Sequence, residues 1–530
     1  MWRRYLTLIV LLAAGLFLSS ISFAGPGSVQ VNTVGDITLR MGAQVRIVPT
    51  SEIDRDFGVS SDLTFDQERK AAKAMPLNWF STSTRTHFNE TGGAVKDSFI
   101  RGENRLFFNF AHKEDWDVYM MLESDTVLDR RSADRTNFIS GDQSQQFGIE
   151  RLMAHLNLPW IHSRLKAGWD AQGVDIAYGG LVYGQDDPGI GIVGGAGGFK
   201  WEATFIKSDE DEAGYMGNPL LSTNFGRPSV LNPIGLPSQG KDQDRSFYYA
   251  KLGYDLAGTF IEGFYMWDRN RLRGRSVDNM FVALQGKGVY GIFKPVVEFA
   301  YNFGEEDATR AHPADSDING WALFGDLTID LSKIVDVKKF EVHVGGYYMK
   351  GDDDPGDGDY DAFTPAGALH RFTKSFGSEQ SISFDTVPIL GQPLYSIQPT
   401  GYGGYENPGL IMVGGGMKSG IGKWTFITNV MAMWFDRSAP VEAHYRGKIT
   451  VPDSRVEINN FMGVEWNNEI RYHFFKAMAL KGGLAFFFPG DGSKDITKAL
   501  NAIGRGVSFA EGREADDISV RAAAELLWFF

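Results

Sequence analysis

The sequence predicts an all-β, transmembrane, antiparallel up-and-down β-barrel of about 18 strands, with short turns at one end and long loops at the other. Three observations carry this expectation. Apolar and polar side chains alternate with a period of two in segment after segment. Beyond the N-terminus no stretch is long and apolar enough for a membrane helix. The final segment, Ile518 to Phe530, puts Ile518, Val520, Ala522, Ala524, Leu526, Trp528 and Phe530 on one face and Ser519, Arg521 and Glu525 on the other.

The N-terminus reads as an export signal. Arg3 and Arg4 precede the apolar run Leu6 to Leu18, and Ser22-Phe23-Ala24 fits a small-x-small cleavage site, so cleavage is expected before Gly25. Residues 1–24 are then a cleaved signal peptide, 25–36 a periplasmic N-terminal segment, and 37–530 the barrel. The chain has no Cys, which removes lipoprotein anchoring, disulfides, thiol catalysis and covalent c-type haem. Loss of the two signal arginines leaves 50 basic against 66 acidic residues, a poor match to nucleic-acid binding. The mean hydropathy is -0.21.

The first alternating segment is Ile37 to Val48, with Ile37, Leu39, Met41, Ala43, Val45 and Ile47 opposite Thr38, Arg40, Gln44 and Arg46. Ser98 to Phe110 and Trp116 to Leu122 make the first hairpin; Phe147 to Leu158 and Arg164 to Asp170 make the second. Gly189 to Ala196 pairs with Phe199 to Lys207. Further hairpins are Arg245 to Asp255 with Thr259 to Arg269, Val277 to Gly286 with Phe293 to Phe303, and Gly320 to Asp330 with Lys339 to Met349. Gly409 to Lys418 then pairs with Lys423 to Phe435, and Phe461 to Tyr472 with Met478 to Phe488. Turns such as Asp255 to Gly258 alternate with long polar stretches such as Pro49 to Asp97 and Gly351 to Asn407. That asymmetry puts both termini on the periplasmic side. Tandem β-sandwiches or a propeller are the soluble alternative, but no repeated motif supports them.

The aromatic ending resembles the C-terminal signature of Gram-negative outer-membrane barrels. This implies that Leu526, Trp528 and Phe530 are read by the barrel insertion machinery, with outer-membrane lipid and lipopolysaccharide as surroundings.

The inner faces are charged. Arg40, Arg46, Arg101, Arg105, Arg151, Arg164, Lys166, Lys200, Arg245 and Lys251 outnumber the acids of the earlier strands. Glu262, Asp268, Glu298, Asp326, Asp330, Glu341, Glu465, Glu469 and Glu525 dominate the later ones. Closed into a ring, these strands predict a basic wall facing an acidic one, with a focused field between them. Such a lumen suits passive diffusion of small hydrophilic or charged solutes. Ala171 to Pro188, with Asp175, Asp186 and Asp187, is the candidate constriction loop.

No catalytic constellation emerges from the sequence. Gly189-x-Gly191-x-x-Gly194 matches a dinucleotide fingerprint formally, but opens no helix and reads as strand glycine. The nine histidines lack metal-ligand spacing. Asp352, Asp354, Asp357, Asp359 and Asp361 lie on a glycine-rich loop whose carboxylates could hold Ca²⁺. The absence of a bidentate Glu favours a solvated acidic loop instead, and no other cofactor is expected.

The run from Gly351-Asp352-Asp353 through Asp357-Gly358-Asp359 to Phe363 and His370 resembles a loop of the alginate-export family of outer-membrane barrels. Gly463-x-Glu465, Gly482 and Phe487-Phe488-Pro489-Gly490 are similar to that family too. The resemblance implies an eighteen-stranded barrel, and Asn467 departs from it where an acidic residue is expected. A polysaccharide export pore, or a barrel sheath for a periplasmic electron-transfer partner, therefore stands beside the diffusion channel.

Overall fold

Period-two alternation leaves each strand one face for lipid and one for the interior, and closure into a ring pairs every strand on both edges. The computed structural model describes residues 29–53, 96–127, 148–176, 181–210, 244–271, 276–308, 314–335, 337, 339–354, 357–368, 407–438, 456–514 and 517–529. Residues 1–28, which include the segment expected to be a signal peptide, Phe530 and most of the long polar stretches lie outside the described residues. The strands are β1 (Val29–Val34), β2 (Ile37–Ile53), β3 (Lys96–His112), β4 (Trp116–Val127), β5 (Gly148–Leu158), β6 (Ser163–Gly173) and β7 (Tyr183–Ala196). Next come β8 (Phe199–Glu210), β9 (Asp244–Leu256), β10 (Thr259–Asn270), β11 (Val277–Gly288), β12 (Phe293–Glu306) and β13 (Ser316–Asp330). The series ends with β14 (Lys339–Met349), β15 (Gly367–Ala368), β16 (Leu410–Ile421), β17 (Trp424–Trp434), β18 (Phe461–Phe475), β19 (Met478–Pro489) and β20 (Ser519–Phe529).

All except β1 and β15 pair with their neighbours as an antiparallel ladder, and β20 returns to β2, with Gln44 opposite Phe529 and Ile53 opposite Val520. This is a closed eighteen-stranded barrel, as the alternation predicts. Turns 257–258 and 422–423 are tight, and Gly258 and Gly422 supply the positive φ that they need. The outward rows of these strands carry exposed apolar side chains, among them Trp321, Leu323, Val344 and Val413.

Three boundaries differ from the sequence reading. β1 lies within residues 25–36, the segment expected to be periplasmic, and adds a strand there that the alternation did not reveal, pairing with Ile37–Met41 of β2. Ala171 to Pro188 is mostly strand: β6 runs to Gly173 and β7 begins at Tyr183, so Asp186 and Asp187 belong to the wall. Extended pairing of Ala171↔Asp186 and Asp170↔Asp187 overrides the local glycine and aspartate signal. A helix, α1 (Asp491–Arg505), separates β19 from β20, and Gly506 caps it at φ +70°. Its Ile496 and Ala499 pack into the core with Phe487 and Met462. The spacing of Ile496, Ala499 and Ile503 is a helical stripe that alternation-based reading passes over.

The hydrophobic core lies inside the barrel. Phe247, Met266, Phe281, Phe324, Met412 and Met433 point inward from β9, β10, β11, β13, β16 and β17 and belong to one cluster with Phe363, Ala366, Val174 and Leu181. Burying a side chain of this size contributes about 1.5–3 kcal/mol, which is what makes inward-folded chain stable there. The charged inner face expected from the sequence therefore shares the interior with an apolar cluster.

Candidate functional site: the barrel lumen

Besides α1, two stretches among the described residues enter the lumen. The first comprises the arms Val174–Ile176 and Leu181–Tyr183 between β6 and β7. Asp175 closes the arms by accepting from the amides of Val182 (3.1 Å) and Tyr183 (3.0 Å). Gln285 on β11 holds them to the wall, donating to the Val174 carbonyl at 2.9 Å and accepting from the Ile176 amide. Lys251 on β9 donates to the Gly173 carbonyl at 3.2 Å.

The second is the strap from Lys350 to Ala368. Tyr360 bonds to β13, its carbonyl accepting from Asn319 at 2.9 Å and its amide donating to Asp317 at 2.7 Å. A Cβ on Gly320 would come within 2.5 Å of the Ala362 main chain, so glycine is what lets the strap lie flat there. Asn279 on β11 then donates to the Thr364 carbonyl (3.2 Å), and Arg245 on β9 to the Ala366 carbonyl (2.6 Å). The strap ends by pairing in parallel with β7, Gly367 opposite Tyr183. It thus crosses the interior from β14 to β7 and joins the first stretch through the Ala366 amide, which donates to Val182 at 2.9 Å.

The uncovered inner wall is a chain of ion pairs. Glu525 on β20 receives Arg46 at 3.0 Å and Lys481 at 2.8 Å, and Arg46 also pairs with Glu103. Arg101 (3.1 Å) and Arg105 (3.2 Å) join Glu103, and Arg105 reaches Glu123 at 2.5 Å. Asp117 pairs with Arg164 and lies 3.0 Å from His155 Nδ1. Arg151 stands 3.4 Å from both Asp170 and Asp186. Lys166 and Lys251 flank Glu202 at 2.5 and 2.8 Å, and the Tyr249 hydroxyl donates to it at 2.6 Å. Arg245 and Asp268 form a buried pair at 2.6 Å, while Lys200 meets Asp255 at 2.8 Å near the short-turn end. On the later strands Lys294 bridges Asp330 and Glu341, both at 2.9 Å. His343 bridges Asp326 (3.0 Å) and Asn429 (2.9 Å), Arg471 pairs with Glu469, and Gln285 donates to Glu262 at 2.7 Å.

The predicted opposition of a basic and an acidic wall takes a different form. Asp268, Glu298, Asp326, Glu465, Glu469 and Glu525 are buried, whereas of the ten predicted basic residues Arg245 alone is buried and Arg40 and the rest keep contact with solvent. Short carboxylates sit against the wall while long Lys and Arg stems carry their charge toward water.

The acidic loop is docked to the barrel rather than fully solvated. Asp352 is buried, its Oδ1 accepting from the Asp354 amide at 3.0 Å and its Oδ2 lacking a partner. Burial, with Asp357, Asp361 and Asp353 nearby, pushes its carboxyl up to about 7. Asp357 and Asp359 accept main-chain amides of Asp359 and Asp317, and Asp361 lies 3.5 Å from Lys350. Among the described residues no three His, Asp or Glu side chains are grouped to hold a metal ion. The glycines of the dinucleotide-like run lie within β7, where a Cβ on Gly191 would overlap Thr204. His343, Asn429, Gln285 and Tyr249 were not singled out by sequence, since polar residues on an inner row look alike until register joins them.

No family model matches the sequence, and no curated protein matches it. Among solved structures, OccK5 (OpdH) of Pseudomonas aeruginosa is 12% identical with a TM-score of 0.47, over 93% of this chain and 98% of that one. The outer membrane protein opdK of the same organism is 9% identical with a TM-score of 0.47 over the same shares. A BenF-like porin from Pseudomonas fluorescens Pf-5 is 10% identical with a TM-score of 0.46, again over 93% and 98%. The barrel assignment itself stands on the strand register.

Proposed function

We propose that this chain is an outer-membrane channel for passive diffusion of small hydrophilic or charged solutes, with a preference for anions. The observation that carries the reading is the burial asymmetry around Glu103, Glu123 and Glu525: these carboxylates are buried, and the partly exposed guanidinium groups of Arg46, Arg101 and Arg105 stand over them. Anions passing those groups exchange water for fixed positive charge, while the carboxylates behind keep the cations oriented and limit how tightly an anion is held. The reading includes export through the N-terminal signal and insertion with both termini periplasmic. Planar-bilayer conductance with reversal potentials in a salt gradient tests it. Anion-selective steps are expected; a correctly folded barrel that conducts no ion would overturn it.

A polysaccharide export pore is the second reading, favoured by the resemblance of the strap and the β18–β19 region to the alginate-export family. The strap crossing from β14 to β7 weighs against it, because a polymer needs a continuous path. Block of small-ion current by a soluble uronate oligomer, followed by its appearance on the far side, would favour the polymer pore.

A further inference from the structure

The arms Val174–Ile176 and Leu181–Tyr183 meet the wall at a pair of like charges. Glu298 projects inward from β12 and is fully buried, and neither Oε1 nor Oε2 has a hydrogen-bond donor in bonding geometry. Within reach of it stands the Asp175 carboxyl, with the Leu181 main chain alongside. Val174 and Leu181, both without solvent exposure, close the site on the arm side, and register places Phe324 of β13 and Gln285 of β11 beside Glu298. The charged groups nearby are Lys251 from β9, which already serves Glu202 and the Gly173 carbonyl, and Glu262 from β10. Burial drives the Asp175 carboxyl up, against the pull of the Tyr183 and Val182 amides and Lys251.

Two buried carboxylates in contact without a dedicated cation repel strongly, whereas a carboxylic acid beside a carboxylate makes a short charge-assisted hydrogen bond. We propose that Asp175 and Glu298 form a proton-operated latch: one shared proton fastens the arms to β12, and its release to water frees them. The strap is hydrogen-bonded to Val182, so the latch governs both inward stretches together. The latch is closed on the acid side and open on the alkaline side. It rests on the channel reading for its effect on solute flow, but not for its existence.

The test therefore has an arm that needs no conduction. The chain has no cysteine, so Leu181→Cys supplies a single thiol in the latched arm. Its labelling by a maleimide is compared in the Glu298 and Glu298→Gln backgrounds, at one alkaline pH and on protein shown by heat-modifiability to be folded. Gln at 298 donates a permanent hydrogen bond to Asp175, so labelling should fall by about tenfold, the factor carried by one unit of linked protonation. Equal labelling in the two backgrounds would overturn the latch. In bilayers, the Glu298 channel should gain conductance as pH rises while the Glu298→Gln channel stays low. A pH response identical in both would also overturn the latch, and absence of conduction in both would count against the channel reading alone.

Discussion

Asn429 of β17 leans across Gly416 of β16 to meet His343 Nε2 at 2.9 Å. A Cβ at position 416 would overlap the Asn429 Oδ1 and come within 2.7 Å of that same nitrogen. Gly416→Ala should therefore break the polar bridge from Asp326 through His343 to Asn429. The expected loss is about 1–3 kcal/mol of barrel stability, from overpacking and orphaned polar groups. Gly325→Ala is the matched control, since a Cβ there meets nothing within 4 Å and its stability should be unchanged. Urea titration of the heat-modifiable band reads both.

Selectivity should follow exposure rather than formal charge. Arg101, with 43% of its side chain exposed, and Arg151, with 29%, meet lumenal water, so replacing both with Ala should lower the anion-to-cation permeability ratio about two- to threefold. Asp268→Asn should leave that ratio nearly unchanged. It should cost about 3–5 kcal/mol instead, because it removes the carboxylate that neutralises the buried Arg245. Reversal potentials and urea midpoints on the same preparations separate the two effects.

Strand number and facing were legible because lipid and water impose a period of two on sequence, as in Ile37, Leu39 and Met41 against Thr38 and Arg40. What the loops do was not. Asp175 stood out only as one aspartate of a constriction loop, and its neighbour Glu298 lies more than a hundred residues away in the chain. Ala362, Phe363 and Ala366 interrupt an acidic stretch with apolar side chains, a local sign of inward folding, but which wall receives them depends on ring closure. Burial of the acids on the later strands was hidden for the same reason: alternation says in or out, not covered or uncovered.

Docking of the acidic loop should depend on pH through Asp352. Its folded carboxyl lies at about 7, above the ordinary aspartate value of about 3.9, so the docked state binds more protons than the undocked one between those values. Docking stability should fall as pH rises through that window and level off above it. Asp352→Asn should remove the dependence. Proteolytic protection of the Lys350–Asp354 stretch across pH measures this, and added Ca²⁺ should leave the profile unchanged, since among the described residues no three His, Asp or Glu side chains are grouped to hold a metal ion.

Assembly should require the aromatic ending. Trp528 is held between Met478 of β19 and Val45 of β2, and Leu526 between Leu480 and Ile47. Phe530 lies beyond the described residues, one position past Phe529. Its deletion should lower the yield of membrane-inserted, heat-modifiable protein several-fold while leaving the conductance of the barrels that do form unchanged; normal yield at normal expression would refute the role.

β2 offers a single edge to both ends of the chain. β20 takes that edge from Gln44 upward and β1 takes it from Ile37 to Met41, running in the same direction as β20. With its lower stretch already occupied, β2 leaves an incoming terminal strand one place to stop. A slip of β20 toward the turn would collide with Val29, so the first hairpin works as a ruler that sets where the ring is sealed. Register at the seam is then decided within the first two strands, before the last one has arrived.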